Sequence, residues 1–156
     1  MAEPATLTTL DREDAKQLFA RGEPGDAWKV LESLLETYSG QPARQLRLEP
    51  AWQLLEQALE AASLAQESKF AAARQLFSRG RPLPGIEDPG QATMMRPDLV
   101  PHAARELAEL DRTELLRLVP DNEADGEAAW QILQAVSELV DRAADDGYCV
   151  VFVQAV

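Results

Sequence analysis

The sequence predicts an α+β fold: a helix-dominant single domain over residues 1–156, with a small sheet that includes the C-terminal strand. The chain has 156 residues, the length of one domain, and its 46% hydrophobic and 27% charged residues are typical of a globular protein. Apolar residues recur at intervals of three and four, most regularly over residues 127–145, which predicts helices. Residues 148–153 are apolar without alternation, which is typical of a buried strand. Strands and helices do not alternate, so a doubly wound fold is not expected.

The N-terminal part, residues 1–45, is predicted to be mainly helical. Residues 5–10 alternate weakly and form either a short edge strand or the approach to a helix. A helix over residues 11–20 is expected to be capped by Thr9 or Asp11, and a stronger amphipathic helix covers residues 24–38. A further helix begins at Pro50, because proline is tolerated in a first turn.

The middle of the chain is less regular. Residues 69–77 form either a short helix or an apolar strand, and the glycines and prolines of residues 80–90 predict a long loop. A short strand over residues 92–95 and a helix that starts at Pro97 follow. Downstream, the sequence predicts a short helix capped by Asp111, an acidic loop over residues 121–126, and a long helix that ends at Gly147.

Charge is the most distinctive property of the sequence. The net charge is −12, which argues against a nucleic-acid-binding surface. Residues 1–97 hold 14 acidic and 11 basic residues, whereas residues 98–156 hold 13 acidic and only four basic ones. The acidity is therefore concentrated in the last third of the chain, where it serves either as a solvated face or as a surface that attracts a basic protein.

The candidate partner-binding residues come from this acidic third and two neighbouring aromatic residues. They are Asp121, Glu123, Asp125, Glu127, Trp130, Asp141, Asp145, Asp146 and Tyr148. Carboxylates steer a basic partner and pair with its arginines and lysines, and aromatic residues serve as interface anchors. We therefore expect a non-enzymatic protein-binding domain, of the kind that neutralises a basic bacterial toxin or effector as immunity proteins do.

The alternative is a small-anion site or enzyme in the central loop. Arg79, Arg81 and Arg96 flank the loop, and guanidinium groups clamp phosphates and carboxylates. The competing interpretation is that these arginines pair with the protein's own excess of carboxylates.

Motifs for catalysis and metal binding are missing from the sequence. It has one cysteine and one histidine, no glycine-rich phosphate loop and no nucleophile elbow. Residues 121–127 resemble the start of a calcium loop, but position twelve of such a loop is Ile132 instead of glutamate. We expect no enzyme activity, no cofactor and no metal.

Three stretches resemble the YfbM-like family of small bacterial proteins of unknown function. They are the helix start at residues 48–55, the glycine-containing loop, strand and helix start over residues 76–100, and the closing helix, turn and strand over residues 129–152. The Thr-rich N-terminal segment departs from the apolar first strand usual in that family. The resemblance implies a compact α+β fold in an intracellular bacterial setting and implies no activity.

The remaining expectations concern location and assembly. The first residues lack a basic and apolar signal pattern, and the longest apolar run is far shorter than the roughly 20 residues of a membrane span. We expect a cytoplasmic protein with no membrane partner. A homodimer is a further alternative, formed by the C-terminal strand if that strand lies at a sheet edge.

Overall fold

The computed structural model describes residues 5–19, 26–66, 69–83, 91–119 and 122–154. The strands in these ranges are β1 (Ala5–Leu10), β2 (Gln45–Leu48), β3 (Arg81–Pro82), β4 (Ala92–Met95) and β5 (Cys149–Gln154). The α-helices are α1 (Arg12–Leu18), α2 (Asp26–Tyr38), α3 (Trp52–Ala65), α4 (Val100–Glu109), α5 (Arg112–Leu118) and α6 (Glu123–Asp146), with a 3-10 helix at Ala73–Gln75. The predicted α+β architecture, dominated by helices and with the C-terminal strand in the sheet, is confirmed.

The five strands form one antiparallel sheet in the order β2-β1-β5-β4-β3. Strand β5 lies at the centre, where Phe152 is opposite Leu7 of β1 on one side and Thr93 of β4 on the other. Because both edges of β5 are paired, this strand cannot join a second copy edge to edge. The condition for a homodimer through the C-terminal strand is therefore not met.

Helices cover both faces of the sheet, which explains why β5 is apolar at every position. Leu7, Val150 and Phe152 face the main core, which α3, α4, α5 and α6 complete. Leu10 and Val151 face a smaller second core under α1 and α2. Successive side chains of a strand point to opposite faces, so a strand between two apolar layers needs apolar residues throughout.

The N-terminal segment is confirmed as a strand but not as an edge strand. Residues 5–10 form β1, which lies between β2 and β5. The buried threonines tolerate this position because their hydroxyls are hydrogen-bonded: that of Thr8 accepts from the Gln45 amide, and that of Thr9 accepts from the Arg44 guanidinium and donates to the Arg44 carbonyl. Strand β2 was not predicted, because alternation over only four residues is too short to recognise.

Three helices begin at different residues from those predicted, and the first of them is α3, which begins at Trp52 rather than at Pro50. Helix α4 starts at Val100 rather than at Pro97, so Asp98 lies before it and not in its first turn. The expected acidic loop at 121–126 is wrong for the described residues: α6 already begins at Glu123, because the side chain of Asn122 accepts a hydrogen bond from the Asp125 backbone N–H at 2.8 Å. The predicted caps Asp11, Asp111 and Gly147 are confirmed.

Residues 69–77, for which the sequence allows either a helix or a strand, form turns and the short 3-10 helix. The carboxylate of Glu106 on α4 accepts hydrogen bonds from the backbone N–H groups of Ala72 and Ala73 at 3.0 and 2.9 Å. Phe70 is buried with a positive φ of 57°, a conformation that costs a bulky residue free energy. The segment has little regular secondary structure, and its contacts with α4 hold it in place.

No helix within the described ranges combines the length and the apolar character that a bilayer span requires.

Candidate functional site

Helix α6 carries most of the predicted partner-binding residues. Its 24 residues hold seven acidic side chains and one basic one, Arg142. Glu123 and Asp125 lie in the first turn, where carboxylates interact favourably with the partial positive charge of a helix N-terminus. Asp121, the first of the predicted residues, lies outside the described residues.

The structure separates the predicted residues into two groups. Asp125 and Asp145 are twenty residues apart on one helix, which corresponds to about 30 Å at 1.5 Å per residue. The group at the start of α6 and the group at its end therefore cannot contact one small partner side chain together. Only an elongated partner surface would reach both.

A continuous stripe along the exposed side of α6 links the two groups. It follows the helical spacing of four and three, so its members project in nearly the same direction. Its members, which we call the α6 stripe, are Glu127, Gln131, Gln134, Glu138, Asp141 and Asp145. Four of the six are acidic and the other two are polar, so no apolar side chain interrupts the stripe.

The two ends of the stripe differ in charge compensation. Arg112 of α5 pairs with Glu127, and the hydrogen bonds from Arg112 and Gln131 lower the pKa of Glu127. In the part of the chain that the structure describes, no lysine or arginine lies within ion-pair distance of Glu138, Asp141 or Asp145. Within the α6 stripe, the carboxylates that lack an ion pair thus lie in its C-terminal half.

This charge is unfavourable for the helix itself. Asp145 and Asp146 lie in the last turn of α6, which contains no basic residue. A helix C-terminus carries a partial negative charge and interacts better with cations, so two aspartates there cost stability. Helix stability therefore does not explain their position.

The two predicted aromatic anchors have different surroundings. Trp130 is partly buried and packs against the main core, so only part of its ring faces solvent. Tyr148 follows the end of α6 and is also half-buried, with its ring centroid 4.7 Å from the guanidinium carbon of Arg44. Tyr148 therefore follows the last turn of α6 in the chain, and a cation–π contact with Arg44 holds its ring in place.

Arg44 belongs to a polar cluster that the sequence did not reveal. Its guanidinium carbon lies 4.0 Å from the Tyr38 ring centroid, and its nitrogens lie 3.4 Å from the Asp14 carboxylate and 3.1 Å from the Thr9 hydroxyl. The Tyr38 hydroxyl donates a hydrogen bond to Asp14. Burial and this bond raise the pKa of Tyr38, while the nearby charge of Arg44 opposes the increase.

The three arginines of the alternative site do not form one clamp. Arg79 pairs with Glu60 at 2.7 Å, and Arg96 pairs with Asp98 at 3.3 Å. Arg81 is exposed on β3, beside a cavity of about 200 Å³ that Phe19, Pro82, Leu83 and Met94 also line. Two of the three guanidinium groups thus already have carboxylate partners within the protein.

Two further features bear on chemistry beyond binding: the thiol of Cys149 and the arrangement of the acidic side chains. Cys149 is buried in β5, and burial raises the pKa of its thiol to about 11, so it is a poor nucleophile near neutral pH. Within the described ranges, no group of three or more histidine, cysteine, aspartate or glutamate side chains has an arrangement suited to a metal ion.

Two features of the site were missed from the sequence. Glu138 belongs to the α6 stripe, and the four-and-three spacing from Glu127 would have identified it. The cluster of Asp14, Tyr38 and Arg44 had no such signal, because its members come from α1, from α2 and from the turn before β2, which meet only in the folded chain.

The comparison that bears on this chain is structural. The crystal structure of YfbM from Escherichia coli, described as a protein of unknown function, superposes with a TM-score of 0.64 over 97% of this chain and 99% of that chain. The chain has the YfbM fold. The resemblance noted from the sequence is thereby confirmed as a shared fold, at a sequence identity of 18%.

The YfbM fold extends to the N-terminal part of the chain as well, since the match covers almost all of both proteins. The unusual Thr-rich first strand therefore does not alter the architecture. No protein-family model matches the sequence, and no curated protein matches it either. Because YfbM is described only as a protein of unknown function, the shared fold assigns no activity to this chain.

Proposed function

We propose that this chain is a protein-binding domain of the bacterial cytoplasm that neutralises a basic toxin or effector through the α6 stripe, in the manner of an immunity protein. The observation that carries the proposal is the run of uncompensated carboxylates Glu138, Asp141 and Asp145 on the exposed side of one helix. Asp145 lies in the last turn of α6, where a carboxylate costs helix stability, so recognition of a cationic surface is the physical reason that best explains this run of acidic residues.

The shape of the stripe defines the partner surface. From Glu127 to Asp145 it spans about 27 Å at 1.5 Å per residue, comparable to the width of a small protein interface. A partner with arginines or lysines spaced along a groove or helix would pair with successive carboxylates. Tyr148, three residues after Asp145 in the chain and half-buried, offers an aromatic surface of the kind that commonly anchors interfaces.

The free, buried thiol of Cys149 is compatible with a reducing compartment, which is the cytoplasmic setting of this proposal.

The test compares two triple variants of equal charge. Glu138→Gln, Asp141→Asn and Asp145→Asn together remove the uncompensated part of the stripe. Glu32→Gln, Glu36→Gln and Glu49→Gln remove three exposed carboxylates from α2 and from the residue after β2. Both variants change the net charge equally, so they separate the effect of position from that of total charge.

Each protein is used to capture partners from bacterial lysate at low and at moderate salt, and the association rate of the captured protein is then measured. The proposal predicts one basic protein that the wild type and the α2 variant retain, that the stripe variant loses, and whose association slows as salt increases. Equal capture by both variants, capture of a partner that is not basic, or no specific capture would contradict it.

A further inference from the structure

A second candidate site lies on the opposite face of the sheet from α6. A cavity of about 380 Å³ opens between the edge of the sheet and the C-terminal end of α2. Its volume lies within the roughly 300–1,000 Å³ of small-molecule pockets. Its lining residues are Ala5, Thr6, Leu35, Ser39, Gln45, Arg47 and Val153.

The strand register explains why a cavity forms here. Thr6 of β1 is opposite Arg47 of β2 on one side and Val153 of β5 on the other, so these three side chains share one face of the sheet. Elsewhere this face carries the apolar residues of the second core. At the β1–β2 edge, the sheet face that lies under the cavity is polar instead, and the last turn of α2 forms the opposite wall.

Hydrogen bonds fix the inner end of the cavity. The Gln45 side-chain amide donates to the Thr8 hydroxyl at 3.1 Å and to the Leu35 carbonyl at 3.0 Å, which ties α2 to the sheet. The walls are therefore held in place before any ligand binds, which reduces the entropic cost of binding.

The lining combines one charged group with polar and apolar surfaces. Arg47 is exposed at β2, and within the described ranges no carboxylate lies within ion-pair distance of it. The hydroxyls of Thr6 and Ser39 provide further hydrogen-bonding groups, and Leu35 and Val153 provide apolar surface. A few placed polar groups beside apolar walls are what a site for a small organic ligand needs.

We propose that this cavity binds a small organic carboxylate with an apolar body, whose carboxylate pairs with the guanidinium of Arg47. The planar guanidinium matches a carboxylate through two parallel hydrogen bonds, and the aliphatic body lies against Leu35 and Val153. A monoanion fits better than a phosphate dianion, because Arg47 is the one cation among the described residues that line the cavity and the protein carries a net charge of −12.

The test is an amide NMR titration of the full chain with sodium hexanoate, and with hexanol and inorganic phosphate as comparison ligands. The proposal predicts saturable shifts at β1, β2 and the end of α2, with a dissociation constant on the order of millimolar. Hexanol and phosphate are expected to bind at least about tenfold more weakly, because hexanol lacks the carboxylate and phosphate lacks the apolar body.

Three variants complete the experiment. Arg47→Gln is expected to weaken hexanoate binding by about tenfold, whereas Arg142→Gln, an exposed arginine on α6, leaves it unchanged. Ser39→Trp, at an exposed position, places a bulky ring at the cavity wall and is expected to abolish binding without unfolding the chain. Hexanoate affinity that Arg47→Gln does not change, shifts that map to other elements, equally strong binding of hexanol or phosphate, or no saturation up to about 10 mM would each overturn the proposal.

Discussion

At the scale of single residues, the buried thiol of Cys149 makes the stability of the folded protein depend on pH in the alkaline range. Burial raises the pKa of this thiol from 9.0 to about 11, so the folded state favours the protonated form. The protonated thiol contributes about 2–3 kcal/mol to the free energy of unfolding. This contribution is fully present below about pH 9 and is lost as the pH rises through about 11.

We predict that the cost of Cys149→Ala depends on pH. Near neutral pH the variant is expected to be about 1–2 kcal/mol less stable in urea unfolding, because a buried sulfur is lost. Above pH 9 this difference in stability narrows and then reverses towards about pH 11, because unfolding of the wild type exposes a thiol that releases its proton, which favours the unfolded state. The other titrating groups are common to both proteins, so they cancel in the comparison. A difference that stays constant from about pH 8 to 11 would contradict the assignment.

At the scale of elements, the end of α6 depends on Gly147. This residue has a left-handed φ of +73°, and a Cβ added there would contact no atom within 4 Å. Gly147→Ala therefore introduces only the backbone cost of this conformation, and we predict a loss of about 1 kcal/mol in the free energy of unfolding. Gly147→Asn is the matched control and is expected to lose less, because asparagine tolerates the left-handed region. Equal losses in urea unfolding would show that another interaction is involved.

Helices with clear capping residues could be predicted from the sequence, whereas the positions of two strands could not. The period of α6 and the caps Asp11, Asp111 and Gly147 identified helices because these signals are local. The two strands β1 and β2 were misplaced or missed, since their pairing partners lie far away in the sequence and short alternation carries little information.

The candidate site divides in the same way. The acidic residues of α6 could be identified from composition, and helical spacing would have added Glu138. The Arg44 cluster and the Arg47 cavity could not be predicted, because both require β2 to be placed beside β1 and below the end of α2.

At the scale of the whole molecule, the net charge of −12 sets the response to salt. Most of the ion pairs in the described part of the chain are exposed and contribute little, whereas repulsion among uncompensated carboxylates opposes folding. We predict that urea unfolding measured from low to moderate sodium chloride shows stability rising, on the order of 1 kcal/mol, because salt screens repulsion.

The stripe variant serves as the control for this prediction. Glu138→Gln, Asp141→Asn and Asp145→Asn together should raise stability at low salt and reduce the salt dependence, because they remove repulsion and the unfavourable charges near the end of α6. A wild type that loses stability as salt increases would mean that its ion pairs outweigh the repulsion, contrary to expectation.

The central position of β5 has a consequence for synthesis on the ribosome. Strand β1 pairs with β5 from Leu10 opposite Cys149 to Ala5 opposite Gln154. These two neighbouring strands therefore come from opposite ends of the described chain. At about 5–20 residues per second, the ribosome needs roughly 7–28 seconds to extend the chain from one strand to the other. During that interval β1 has only β2 as a neighbour, and its other edge is open to any passing strand. The nascent chain is therefore most vulnerable to misassociation just before its last strand emerges.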